Sequence, residues 1–203
     1  MFAQKKTDMK RQKRIAIIIA IILGALILSI LINLCITLIQ ESTYPLKFST
    51  EVQKYAKEFN VPEYVILAVI KADSDFDENK TYEDGAKGLM HITQIKFAKF
   101  ASLEHLSTDA TYEDLIDPDV SIRFGTYYLR YLFNRYRSWD TAIVAYSAGE
   151  ATTDEWLKNP EYAKNGTTLK EIPLSKTEDY LNEVNDAIDY YKDTYYRNGA
   201  FTK

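Results

Sequence analysis

Ile15 to Ile39 is a run of 25 residues without a single charge. Only Gly24, Ser29, Asn33 and Thr37 interrupt its apolar character. At about 1.5 Å per residue, a helix of this length crosses a hydrocarbon core of about 30 Å with some tilt. Such a helix satisfies its own backbone and can span alone. The run is long for a buried core helix. It also exceeds the apolar stretch of about 7–15 residues in a cleaved signal peptide, and Glu41-Ser42-Thr43 offers no small-residue cleavage site. Cys35 follows the bulky Leu34, where a lipid-modified cysteine would follow small residues. The expectation is a transmembrane signal anchor over residues 15–39.

Lys5, Lys6, Lys10, Arg11, Lys13 and Arg14 precede the run against Asp8 alone, so residues 1–14 carry +5. The whole chain carries −4, which leaves −9 for the remainder. A basic flank ahead of a span is retained inside, so residues 1–14 read as a cytoplasmic tail and the C-terminal body as extracytoplasmic. The localisation expected is the cell membrane, single-pass. An acidic body lacks the basic stripes that neutralise phosphates, so no nucleic acid is expected as a partner. One Cys excludes an internal disulfide, and with only two His a Cys/His zinc site is not expected. There is no phosphate-cradling loop or dinucleotide fingerprint. Neither a metal nor an organic cofactor is implied.

Residues 40–47 read as a short tether containing Pro45. From 48 to 197 the pattern is helical. Phe48, Val52, Tyr55, Ala56 and Phe59 share one helix face, with Thr50 and Gln53 placed for a capping box. Pro62 suits a first helical turn, and Val65, Ile66, Leu67, Val69 and Ile70 predict a helix that is apolar nearly all round and therefore central. A polar loop follows from about Asp75 to Lys87. Gly88 to Phe100 reads as a helix. Asp117-Pro118 opens the next, with Ile122, Tyr127, Leu129, Leu132 and Phe133 inward. Ser138 caps the helix that carries Trp139 to Tyr146, and Thr153 or a neighbour caps a short one around Trp156 and Leu157. Both Trp read as core. Ser175 or Thr177 opens a long C-terminal helix with Tyr180, Val184, Ala187, Ile188 and Tyr191. No alternating strand pattern of useful length is present. The body is mainly α, one domain over 48–197 with a short tail at 198–203.

Four segments together resemble the lytic transglycosylases of the soluble-lytic-transglycosylase (SLT) type, a lysozyme-like fold. Val69-Ile70-Lys71-Ala72-Asp73-Ser74-Asp75-Phe76 resembles the helix end bearing the catalytic acid, normally Glu-Ser-x-Phe. Gly85-Ala86-Lys87-Gly88-Leu89-Met90-His91 resembles Gly-Ala-x-Gly-Leu-Met-Gln. Ala145-Tyr146-Ser147-Ala148-Gly149 resembles Ala-Tyr-Asn-Ala-Gly, and Ile172-Pro173 through Thr177 and Tyr180 resembles Ile-Pro-x-x-Glu-Thr-x-x-Tyr. The order and spacing match over roughly residues 46–195. The resemblance implies cleavage of the MurNAc–GlcNAc bond of peptidoglycan without water. One carboxylic acid protonates the leaving oxygen, then helps the sugar's own 6-hydroxyl close a 1,6-anhydro ring. That departs from the usual two-carboxylate scheme but still needs one acid kept neutral by desolvation. The family also implies secretion or conjugation machines as a class of partner, which nothing in the chain specifies.

The departures from the pattern concentrate on chemistry. Asp73 stands where the family has its catalytic Glu, so the proton donor retreats by about 1.5 Å, one C–C bond. A misplacement of about 1 Å can cost about 100-fold in rate. Tyr82 stands nine residues on, where a Ser is usual. His91 replaces Gln, Ser147 replaces Asn, and Lys176 replaces Glu. Two readings follow. In one, Asp73 is the general acid/base, and Tyr82, His91, Tyr146, Ser147 and Tyr180 line the glycan groove. In the other, the domain is a pseudoenzyme that binds peptidoglycan or scaffolds a cell-envelope machine. Asp75, Glu78 and Glu83 are further carboxylates that read as solvated loop, and His105 reads as solvated. Ala145–Gly149 also imitates a serine-hydrolase elbow, but the residues before it are helical where that motif needs a strand.

Overall fold

The computed structural model describes residues 2–101, 106, 109–197 and 200–201, with side chains for 17–38, 42–101, 106 and 109–196. His105 lies outside the described residues. In chain order the helices are α1 (Phe2–Thr43), α2 (Ser49–Phe59), α3 (Glu63–Ser74), α4 (Gln94–Ala101), α5 (Pro118–Tyr136), α6 (Trp139–Ala148), α7 (Glu150–Lys158) and α8 (Ser175–Tyr195). A 3-10 turn spans Tyr112–Ile116, and β1 (Tyr196–Arg197) pairs antiparallel with β2 (Ala200–Phe201). The chain divides into two compact units, Met1–Pro45 and Leu46–Lys203.

The first unit is α1. Its segment Ile17–Leu38 is long and apolar enough to cross a membrane, and none of it is buried. Asn33 Nδ2 donates to Ser29 O at 2.9 Å, and Thr37 Oγ1 donates to Asn33 O at 3.0 Å. Both polar side chains thus bond to the helix's own carbonyls, which lowers the cost of an apolar surrounding.

In the second unit, α3 forms the centre. Val65 through Ile70 are each at most 1% exposed, as the all-round apolar pattern requires. α3 packs chiefly on α8, while α6 packs on α5, α7 and α8 and α2 packs on α5. Asp117 caps α5 by accepting from the Asp119 N–H, with Pro118 in its first turn. Ser138 caps α6 by accepting from the Thr141 N–H.

Several local expectations are corrected. The Thr50/Gln53 capping box does not form, because α2 starts two residues earlier than that box requires, behind a left-handed Phe48 (φ 56), and has no side-chain cap. The helix expected from Gly88 begins only at Gln94. Gly88 (φ 75) and His91 (φ 47) are left-handed and Lys87 bridges Ile92, so residues 88–93 form turns instead. Thr153 is no cap but a buried residue inside α7, its Oγ1 donating to Gly149 O at 3.0 Å. Trp139 and Trp156 are half-buried rather than core; Trp139 stacks on Phe133 at 4.3 Å.

Candidate active site

α3 ends one residue past Asp73. Asp75 is left-handed (φ 52), and its N–H closes the helix on Lys71 O at 3.0 Å. Phe76, also left-handed (φ 63), turns the chain away and buries its ring. The last carbonyls of a helix lack intrahelical partners. That of Asp73 accepts from Lys80 Nζ at 2.8 Å and from Tyr82 Oη at 2.9 Å. The loop after α3 therefore folds back and fixes the backbone that carries the acid.

A cleft of about 650 Å³ opens at this helix end. Asp73, Tyr82, His91, Tyr146, Ser147 and Tyr180 all line it, brought from α3, α6, α8 and the segment between α3 and α4. Glu83, Asp84 and Lys176 line it too. Asp75 lies outside, capping α3 and paired with Lys71.

The Asp73 carboxyl is asymmetric. Oδ1 accepts from Tyr180 Oη at 3.0 Å. Oδ2 is buried with no hydrogen-bond partner, although the residue as a whole is only half-buried. Burial pushes the pKa of Asp73 up to about 7, opposed by Lys96, the Tyr180 hydrogen bond and Lys80, and aided by Glu183. Near neutral pH the group is thus poised between acid and carboxylate. Tyr146 and Tyr180 are held well above the usual phenol range, first by burial and then by the nearby Asp73, so both stay neutral donors. Tyr146 Oη donates to the Met90 carbonyl and ties α6 to the Gly-Leu-Met turn.

His91 projects from that turn. Its ring meets Tyr82 edge-on at 4.1 Å, and Nε2 lies 3.3 Å from Asp84 Oδ2. Burial lowers its pKa, Lys96 and Lys176 add to this, and Asp84 opposes it. Ser147 is exposed on the cleft.

Sequence reasoning missed Lys80, Asp84 and Lys96. Lys96 Nζ donates to the Tyr146 carbonyl at 3.3 Å and lies over the rings of Tyr146 at 4.8 Å and Tyr128 at 5.2 Å. A lysine in a short helix reads as solvent-facing. The available signal was Phe100, buried four residues on and so on the same face as Lys96.

An acid at the end of a central helix, in a cleft walled by tyrosines, sits here in a mainly helical domain. The chain belongs to the transglycosylase SLT-domain family, whose profile matches residues 50–168. It is similar to the soluble lytic murein transglycosylase of Escherichia coli (strain K12), at 29% identity over 159 residues, 75% of this chain and 24% of that protein. The Salmonella typhimurium (strain LT2) protein of the same name is 25% identical over 154 residues, with the same shares. The chain therefore spans only about a quarter of the length of these relatives. The fold matches the 70 kDa soluble lytic transglycosylase of E. coli with a TM-score of 0.69, at 24% identity over 76% of this chain and 25% of that one. It also matches an inactive glutamate-to-glutamine mutant of the Pseudomonas aeruginosa lytic transglycosylase Slt, with a TM-score of 0.63, at 24% identity over 77% of this chain and 25% of that one.

Proposed function

We propose that this chain is a membrane-anchored lytic transglycosylase that cleaves the MurNAc–GlcNAc bond of peptidoglycan and leaves 1,6-anhydro-MurNAc ends. Asp73 is the single catalytic carboxyl. The observation that carries the reading is its buried, unpartnered Oδ2 in the cleft, with a pKa raised to about 7. The protonated Oδ2 donates to the glycosidic oxygen as the C1–O bond breaks. The resulting carboxylate takes the proton of the 6-hydroxyl as O6 bonds to C1. Asp73 ends the cycle protonated and no water is consumed. Tyr180 holds Oδ1 and so aims Oδ2. Lys80 and Tyr82 hold the backbone beneath it. Tyr82, His91, Tyr146, Ser147 and Tyr180 form the glycan-facing walls, where rings can stack on sugars and hydroxyls can bond to them. In the P. aeruginosa relative, one glutamate-to-glutamine change accompanies loss of activity. Reliance on one carboxyl is consistent with that.

Residues 15–39 serve as the anchor, with residues 1–14 cytoplasmic and the domain over 48–197 facing the wall. The expected result is retention of the intact chain in membranes after an alkaline wash. Release of a chain lacking its N-terminal helix would show a cleaved signal peptide instead.

The second reading is a catalytically silent module that binds peptidoglycan or scaffolds an envelope machine. The shorter reach of Asp73 compared with glutamate favours it. Turnover of purified peptidoglycan by the full chain in detergent micelles separates the two. Soluble muropeptides from the parent, abolished in Asp73→Ala, support the enzyme. Binding without turnover supports the module. Activity gained only in Asp73→Glu shows an intact groove that lost its acid.

A further inference from the structure

Tyr82, Asp84 and His91 form a chain of contacts that ends on the backbone of Asp73. Tyr82 Oη donates to the Asp73 carbonyl at 2.9 Å. Lys80 Nζ, the second donor to that carbonyl, lies 5.2 Å from the centre of the Tyr82 ring. The His91 ring meets the Tyr82 ring edge-on at 4.1 Å, and His91 Nε2 lies 3.3 Å from Asp84 Oδ2. Asp84 is itself anchored, because its Oδ1 accepts from the Ala86 N–H at 3.0 Å. The turn that carries it is closed by Tyr82 N–H to Ala86 O at 3.0 Å and by Gly85 N–H to Tyr82 O at 2.9 Å. Asp84 makes no hydrogen bond or ion pair with Asp73 among the described residues. Any hold it has on the acid passes through the two rings.

We propose that Asp84 is a positioning residue for the acid: through the His91 ring it clamps Tyr82, whose hydroxyl fixes the Asp73 carbonyl. The inference rests on reading Asp73 as the reacting acid. Tyr82 and His91 are both half-buried, so burial alone does not hold either ring in place. A hydroxyl at the tip of a loop tyrosine fixes a carbonyl only while its ring is held in one rotamer. His91 supplies that hold from a left-handed backbone (φ 47), a costly conformation for a residue with a Cβ. The Asp84 carboxylate favours the tautomer with the proton on Nε2 and fixes the plane of the imidazole. Lys80 does not replace this clamp, because its own ammonium rests against the Tyr82 ring. Asp73 also needs a fixed backbone more than a glutamate would. With one side-chain torsion fewer, its carboxyl follows the backbone more closely. Tyr82 and His91 are two of the positions where the chain departs from the family pattern, and their rings touch.

The test reads the Asp73 carbonyl directly. Asp73-Ser74 is the single Asp–Ser peptide in the sequence. Carbonyl-¹³C aspartate with ¹⁵N serine therefore isolates that carbonyl by NMR of the full chain in detergent micelles. Tyr82→Phe should move its ¹³C resonance upfield, as loss of a hydrogen bond does. Asp84→Asn keeps an acceptor for the Ala86 N–H but removes the charge beside His91. It should move the resonance the same way by a smaller amount, and should add nothing in the Tyr82→Phe background. A resonance that Tyr82→Phe moves and Asp84→Asn leaves in place overturns the proposal, as does full additivity in the double variant. Should Asp84→Asn not fold, His91→Gln takes its place: it removes the ring from Tyr82 and should shift the resonance likewise, and no shift overturns the proposal.

Turnover of solubilised glycan strands supplies the second readout. Asp84→Asn should lower kcat by about tenfold, the cost of a displacement smaller than about 1 Å, with KM held. A change confined to KM would make Asp84 a direct sugar contact and contradict the positioning role. The carbonyl resonance needs no turnover. A chain that never cleaves peptidoglycan would sink the enzymatic reading, and the resonance would still decide whether the clamp exists.

Discussion

Tyr180 Oη donates to Asp73 Oδ1 at 3.0 Å and leaves Oδ2 of the same carboxyl buried without a partner. Residues 107 positions apart in the chain thus divide one carboxyl into a held oxygen and an unpartnered one. The hydrogen bond favours the charged form, against the burial that favours the neutral one. Tyr180→Phe should move the Asp73 midpoint upward and cut turnover by about tenfold, the loss of about 1.4 kcal/mol expected for a bond to a group that becomes charged. An unchanged pH profile and rate would remove Tyr180 from the mechanism.

The pH–rate profile follows from the same group. Asp73 must begin protonated, and its pKa is raised to about 7. Turnover per substrate encounter should therefore fall as pH rises through about 7, with a single-proton slope. Initial rates of peptidoglycan solubilisation across pH measure this. A profile flat through that range would assign the acid elsewhere.

Stability shifts in the corresponding sense. The ordinary Asp value is 3.8 and the folded value about 7, so between these the folded state holds a proton that the unfolded chain has lost. Stability should fall as pH rises across that window. Asp73→Asn removes the cost of burying the carboxylate. It should raise Tm relative to the parent by at least about 3 °C above neutrality, with the gain vanishing at acid pH. Thermal melts at the two extremes check the sign.

Gly88 sits at φ 75, where an added Cβ would collide with the Leu115 carbonyl and the Ser121 hydroxyl. Gly88→Ala combines left-handed strain with a backbone clash and should destabilise the domain by about 2 kcal/mol or more. Gly85, also left-handed (φ 81), has open space at its Cβ and should tolerate alanine with the smaller cost of backbone strain alone. Urea unfolding midpoints of the two variants compare them directly.

Much of this was legible in the sequence. The run Val65 to Ile70 announced a central helix, and the resemblance of four motifs to the SLT family singled out Asp73, His91, Ser147 and Tyr180, which share one cleft. Asp117 and Ser138 declared two caps correctly. What stayed hidden depended on tertiary context. Leu89 and Met90 have helix-compatible side chains, yet the turn that holds them is imposed by left-handed Gly88 and His91 and by the Lys87–Ile92 bridge. Lys80 and Lys96 are unremarkable as lysines and gain their roles only where folding brings the Asp73 and Tyr146 carbonyls to them. Thr153 offered a plausible cap, but Gly149 already begins the helix there.

The central claim is that Asp73 closes a ring on the substrate without water. The most direct measurement is the mass of the muropeptides released from purified peptidoglycan by the full chain in micelles. The account predicts products one water lighter than their hydrolytic counterparts, carrying 1,6-anhydro ends and absent with Asp73→Ala. Products bearing the full mass of hydrolysis, or release that persists in Asp73→Ala, would contradict it.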